Sequence, residues 1–210
     1  MPEVPLAALQ IVPVTQGRLD DLAGVFRGTD AATCWDMVQR TTAAEERDKV
    51  VVWKESGMSV REGRRSCFAT LAAAAGTHAP GLIAYLADHP VGWISIGPRS
   101  DYPRVAMSRA TPPVDDAHVW IIPCLLVRRE HRSQGITSAD RSCRPLRRCA
   151  RCRRAGGLSA SRRGPTLSIV GVPRDSGSVQ EAGFEVVRAP LDGLPKAWVR
   201  RFAVRRTPLT

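Results

Sequence analysis

His118-Val-Trp-Ile-Ile-Pro-Cys-Leu-Leu-Val127, running directly into Arg128-Arg-Glu-His-Arg-Ser-Gln-Gly-Ile-Thr137, is the stretch on which the fold turns. Apolar residues occupy both parities of the first ten positions. A strand of that kind is buried on both faces and lies centrally in its sheet. Pro123 stands in its middle and has no N–H to give a neighbouring strand, so the ladder must bulge or open there. Arg132-x-x-Gly135-x-Thr137 then follows the strand at an expected helix start. Consecutive backbone N–H groups at such a turn, with the positive end of a helix behind them, suit an anion such as a pyrophosphate, and Gly135 lets it approach the backbone.

Upstream, Gly81-Leu-Ile-Ala-Tyr-Leu86 and Val91-Gly-Trp-Ile-Ser-Ile96 read as two strands joined by Ala87-Asp-His-Pro90, an antiparallel hairpin. Leu9 to Val14 reads as a short strand. Thr15 is a candidate N-cap, with Leu19, Leu22 and Phe26 at helical spacing behind it. Residues 28 to 60 show only apolar islands, Cys34-Trp35 and Val50 to Trp53. Arg61 to Ala75 reads as a helix stopped by Gly76. Residues 98 to 117 read as a polar, Pro-bearing loop with room for a helical turn. Near the end, Val179 to Ala182 closes a helix with Gly183 at its C′ position. Phe184 to Ala189 and Ala197 to Val204 read as strands joined by Pro190 to Pro195.

The chain resembles the GNAT family of N-acetyltransferases in the loop Arg132-Ser-Gln-Gly135-Ile-Thr137, in the hairpin Pro80 to Gly97, and in Glu181-Ala-Gly-Phe-Glu-Val-Val187. Thr137 departs from the small residue usual there. The resemblance implies an α/β fold: a mixed, mostly antiparallel central sheet with splayed fourth and fifth strands, flanked by helices. It also implies acetyl-CoA as acetyl donor, with pantetheine along Leu125, Leu126 and Val127 and pyrophosphate on Arg132, Ser133, Gln134, Gly135, Ile136 and Thr137. A small-molecule or peptide amine would attack the thioester, and a strand N–H would stabilise the developing oxyanion. The family often protonates the leaving thiolate with a tyrosine late in the chain. Here the tyrosines are Tyr85 and Tyr102, both before the fourth strand, so no catalytic residue is assigned. Glu130, Asp115 and Asp116 read as solvated surface groups.

Charge isolates one segment. The 210 residues carry a net charge of +11, with 28 arginines and 3 lysines. Residues 141 to 163 hold nine arginines and no acid, which leaves +2 for everything else. That segment includes Cys143, Cys149 and Cys152, but no second Cys-x-x-Cys or His-x-x-x-His completes a zinc set. Its large apolar residues, Leu146 and Leu158, are twelve apart and cannot form a helix face. Pro145 inside the expected helix would cost about 3 kcal/mol. Elsewhere Glu3 argues against a secretory signal, the apolar run Val119 to Val127 is too short to span a bilayer as a helix, and the cysteines read as free cytosolic thiols.

The chain is therefore expected to be one domain over residues 1 to 210, cytoplasmic, with 141 to 163 as an atypical insert. Two other readings stay open: a degenerate member of the fold that binds CoA weakly or not at all, and a basic nucleic-acid-binding protein acting through the arginines of 141 to 163. Family-like sequence stops near Ser138 to Arg141 and resumes between Arg163 and Ser178. Two compensating indels in a GC-rich gene would produce that pattern. The gene's nucleotide sequence tests it: an alternative frame between those points should encode an amphipathic helix and a strand, and two alternative frames that encode neither rule the explanation out.

Overall fold

The computed structural model describes residues 9–74, 78–132, 134, 136, 167–172, 185–188 and 202–206. Seven strands form one sheet: β1 (Leu9–Pro13), β2 (Gly81–Leu86), β3 (His89–Pro98), β4 (Trp120–Val127), β5 (Leu167–Val172), β6 (Glu185–Arg188) and β7 (Phe202–Arg206). Their order is β1-β2-β3-β4-β5-β7-β6. The β4–β5 pair is parallel and each other neighbouring pair antiparallel, so the sheet is mixed and mostly antiparallel, as expected. Helices α1 (Leu19–Phe26), α2 (Ala31–Cys34), α3 (Met37–Arg40), α4 (Ala43–Glu55) and α5 (Val60–Ala73) fill the interval between β1 and β2, and α6 (Pro103–Ala106) follows β3.

The hairpin turn is tighter than the sequence implies. Leu86 pairs with His89, and the two residues between them, Ala87 and Asp88, both have positive φ. That is the backbone a two-residue turn needs to match the twist of its strands. Between Ala84 and Tyr85 the register shifts, with Gly92 and Pro90 as their partners, so Pro90 pairs beside an irregular step.

One face of the sheet carries the core. Ile83 and Trp93 project from β2 and β3 against Leu22, Val25 and Phe26 of α1, Phe68 of α5, and Trp35. Phe26 meets Trp35 and Trp93 edge-on at 5.5 and 5.9 Å, and Phe68 meets Trp93 at 5.8 Å. Such edge-to-face contacts between aromatic rings add about 0.5–1.5 kcal/mol each beyond burial. The island Cys34-Trp35 thus belongs to the core, although no periodicity announces it.

Several expectations need correction. Thr15 precedes a short 3₁₀ turn, Gln16–Arg18, and makes no side-chain cap; α1 begins only at Leu19. The interval 28 to 60 is largely helical. Its longest helix, α4, has no buried residue, and Val51 and Val52 are 54% and 58% exposed, so it shows no apolar stripe to find. Its start was written in the sequence nonetheless, because Thr42 and Glu45 form a reciprocal capping box, as Ser59 and Glu62 do for α5. β5 appears where no strand was placed. β7, described over Phe202–Arg206, runs two residues past the expected end at Val204, in the ladder Leu167↔Arg206 to Val172↔Phe202; residues 197 to 201 lie outside the described residues. Gly76, Val179 to Gly183, Pro190 to Pro195 and the segment 141 to 163 lie outside the described residues.

Two glycines give opposite expectations for one substitution. A Cβ on Gly63 of α5 would lie 2.1 Å from the Trp53 ring of α4, whereas one on Gly24 of α1 meets nothing within 4 Å. Gly24→Ala is expected to stabilise by about 0.5–1 kcal/mol. Gly63→Ala is expected to lose about 1–3 kcal/mol by overpacking, outweighing its helix gain. Urea denaturation of both variants checks the pair.

Candidate functional site

Pro123 makes both of the interruptions it was expected to permit. Ser95 pairs with Cys124 and Gly97 with Ile121, so Ile122 and Pro123 together oppose the single residue Ile96 in a β-bulge. On the other edge, the parallel ladder to β5 runs Trp120↔Leu167, Ile121↔Ser168, Ile122↔Ile169 and then stops. Residues 123 to 127 have no β5 partner, and the fourth and fifth strands part company at the proline.

The bulge also fixes which peptide groups face that gap. The Arg128 N–H donates to the Val91 carbonyl at 2.9 Å, which sets the phase of the β3–β4 ladder. In an antiparallel pair the bonded residues alternate. Cys124 and Leu126 therefore bond to Ser95 and Trp93, while Leu125 and Val127 turn their N–H and C=O groups away from β3 and towards the gap. Burial follows the same break. Ile121 and Ile122 are buried on both faces, as a central strand requires, but Leu125 is 54% exposed. The expectation of two buried faces holds only for the first half of the strand.

The loop after β4 folds back on it. A 3₁₀ turn, Arg129–His131, follows the strand, and the Arg132 Nε donates to the Val127 carbonyl at 3.0 Å. Gln134 Nε2 donates to the Glu130 carbonyl at 3.0 Å. The Arg128 guanidinium bonds the Gly24 carbonyl at 3.2 Å and Glu130 at 2.6 Å, tying the strand end to α1. Leu125, Leu126, Val127 and Ile136 line one narrow cleft of about 40 Å³ with Leu82 and Ile94 on the face opposite the aromatic core. Those four expected site residues are therefore adjacent, with Arg132 and Gln134 on the same loop. Ser133, Gly135 and Thr137 lie outside the described residues.

Polar chemistry concentrates on the core face, beside the bulge. Asp36, Arg40, Ser95 and Tyr102 form one hydrogen-bonded cluster there. Burial pushes the Asp36 carboxyl up, against the pull of Arg40 and the Ser95 hydroxyl. Burial also pushes up the Tyr102 hydroxyl and the Cys34 thiol, and the Cys124 thiol is pushed up to about 12 with Asp36 and Cys34 adding to the effect. Cys124 is thus a neutral thiol and a weak nucleophile at neutral pH. Sequence reasoning passed over Asp36, Arg40 and Ser95. Only the juxtaposition of Asp and Arg at i, i+4 could have flagged two of them.

No protein-family model and no curated protein matches the sequence. Among solved structures the chain is similar to Ard1 from Thermoplasma volcanium, with 13% identity, a TM-score of 0.45 and coverage of 97% of this chain and 99% of that one. It is similar to the PaiA N-acetyltransferase from Thermoplasma acidophilum in complex with coenzyme A, with 13% identity, a TM-score of 0.47 and coverage of 95% and 98%. It is also similar to an acetyltransferase of the GNAT family from Streptococcus pneumoniae, with 13% identity, a TM-score of 0.48 and coverage of 96% and 99%.

The raised acids fix the sign of an alkaline transition. In the unfolded chain the thiols and phenols of Cys34, Cys124 and Tyr102 ionise from about pH 9, whereas the native state holds their protons to higher pH. Above pH 9 the unfolded state then binds fewer protons, so stability falls as pH rises. The chain has only 3 lysines to confuse the reading. Urea midpoints at pH 7, 9 and 11 are expected to decline in that order, and a midpoint unchanged at pH 11 contradicts the burial argument.

Proposed function

We propose that this chain is an acetyl-CoA-dependent N-acetyltransferase acting on a small-molecule or peptide amine. The observation that carries the reading is the gap after Pro123. Among the described residues Leu125 and Val127 have no β5 partner there, although Arg132 holds the Val127 carbonyl, and an extended amide-bearing molecule such as pantetheine could pair with them as a short extra strand. Arg132 and Gln134 follow the end of β4, and in this reading the pyrophosphate of the same molecule would lie on the Arg132 to Thr137 segment. In this reading an N–H from β4 that turns away from β3 would stabilise the oxyanion as the amine attacks the thioester carbon, with CoA thiolate leaving. The domain spans residues 1 to 210 in this reading, and the free thiols Cys34, Cys67 and Cys124 fit a reducing cytoplasm. Among the described residues no helix is long and apolar enough to cross a membrane.

A second reading, a related protein that holds the cofactor without turnover, is favoured by the state of the tyrosines. The Tyr85 hydroxyl donates to Asp21 at 2.6 Å and Tyr102 is fully buried against Arg40, so both hydroxyls are already engaged. A thermal-shift titration with acetyl-CoA decides the first point. Saturation with a rise in Tm, lost in Gly135→Trp, is expected; a flat titration for the unaltered chain contradicts the first reading and leaves only a degenerate member that does not bind CoA. Release of CoA over a broad amine panel separates them. Binding to nucleic acid that falls steeply with salt would instead point to the arginines of 141 to 163.

A further inference from the structure

Four buried polar side chains from separate parts of the chain meet beside the β4 bulge. The side chains of Arg40 and Asp36 are 5% and 1% exposed. Arg40 Nε donates to Asp36 Oδ2 at 2.8 Å, and Arg40 Nη2 donates to the Pro80 carbonyl and to the Tyr102 hydroxyl, each at 2.6 Å. The guanidinium also sits 4.3 Å from the Tyr102 ring centroid. Ser95 Oγ donates to the same Asp36 oxygen at 2.7 Å and lies 3.0 Å from the Tyr102 hydroxyl.

The two β3 residues flanking the bulge are Ser95, opposite Cys124, and Gly97, opposite Ile121. Ser95 is inside the cluster. At Gly97 a Cβ would lie 3.4 Å from the Tyr102 ring and 3.3 Å from His78 Nε2, so the ring rests on the backbone there. One tyrosine, oriented by Arg40, therefore contacts both ends of the interrupted ladder.

Stability alone does not account for this arrangement. Trp35 and Asp36 both have positive φ, an uncommon backbone for residues with a Cβ, and Asp36 Oδ1 is buried with no hydrogen-bond partner. A buried ion pair is often no more stabilising than apolar residues of the same volume. What directional bonds add, and apolar packing does not, is a fixed position.

We propose that Arg40 is a positioning residue: through Tyr102 and Ser95 it holds the β3 side of the bulge, and so sets the width and phase of the gap towards which Leu125 and Val127 turn. The part of this inference that concerns acetyl-CoA rests on the reading under Proposed function.

Ser95→Ala and Tyr102→Phe test it while leaving the Asp36–Arg40 pair intact, so both variants should fold. Arg40→Lys keeps the charge beside Asp36 but not the forked contact to Pro80 and Tyr102. Gly63→Ala, which strains the α4–α5 contact instead, serves as the control for lost stability. Two quantities are read: acetyl-CoA affinity by calorimetry, and ligand-free exchange of the Cys124 and Leu126 amides that bond β3. Ser95→Ala, Tyr102→Phe and Arg40→Lys are each expected to weaken acetyl-CoA about tenfold, the scale of one lost hydrogen bond, and to speed those two amides more than the amides of α5. Gly63→Ala is expected to leave affinity within twofold. Affinity within twofold of the unaltered chain in all three variants overturns the proposal, whether or not exchange changes. If the unaltered chain binds no acetyl-CoA, the reading under Proposed function falls, and exchange alone judges the clamp: unchanged Cys124 and Leu126 amides overturn it as well.

Discussion

A proline in the middle of a central strand is a constraint that the surrounding structure must meet. Pro123 has no N–H to give to a neighbouring strand. The structure meets this with a bulge towards β3 and an end to pairing with β5, both at the same residue. Much else follows from that coincidence. The first half of β4 carries the buried Ile121 and Ile122, whereas in the second half Cys124 and Leu126 are partly buried against the core and Leu125 is exposed. The peptide groups of Leu125 and Val127 turn away from β3 and have no β5 partner among the described residues, with Arg132 on the Val127 carbonyl and Ile136 beside the strand.

The sheet was legible where residues were distinctive by position. Pro123 announced the bulge because its chemistry admits few alternatives. Gly81 to Ile96 announced the hairpin because two apolar runs were separated by a short polar turn. The helices between β1 and β2 were harder to read. α4 buries nothing, so hydrophobic spacing carries no information, and its capping box was the sole local mark. Trp35 enters the core from a residue with positive φ between two four-residue helices, a conformation set by tertiary packing against Phe26 and Phe68. β5 was missed because Leu167 to Val172 was grouped with the disrupted stretch before it; its strand character shows once β4 and β7 supply partners on either side.

The candidate site divides in the same way. Its backbone half rests on a sequence reading, a buried strand running into an Arg-x-x-Gly loop, of which the structure describes Leu125, Leu126, Val127, Arg132, Gln134 and Ile136. Its side-chain half could not. Asp36, Arg40, Ser95 and Tyr102 are spread over 67 positions of the sequence, and only the folded sheet brings them to one place. The net charge of +11 belongs to neither half, since it is concentrated in residues 141 to 163 and the remainder of the chain is close to neutral.

Residue-resolved amide exchange with and without acetyl-CoA tests the central claim most directly, because the phase of the β3–β4 ladder distinguishes neighbouring residues. The amides of Leu125 and Val127 face the gap and are expected to gain protection when the ligand is added, while those of Cys124 and Leu126, already bonded to β3, change little. Saturating acetyl-CoA that leaves Leu125 and Val127 exchanging as fast as before would contradict the account, whatever else it protects.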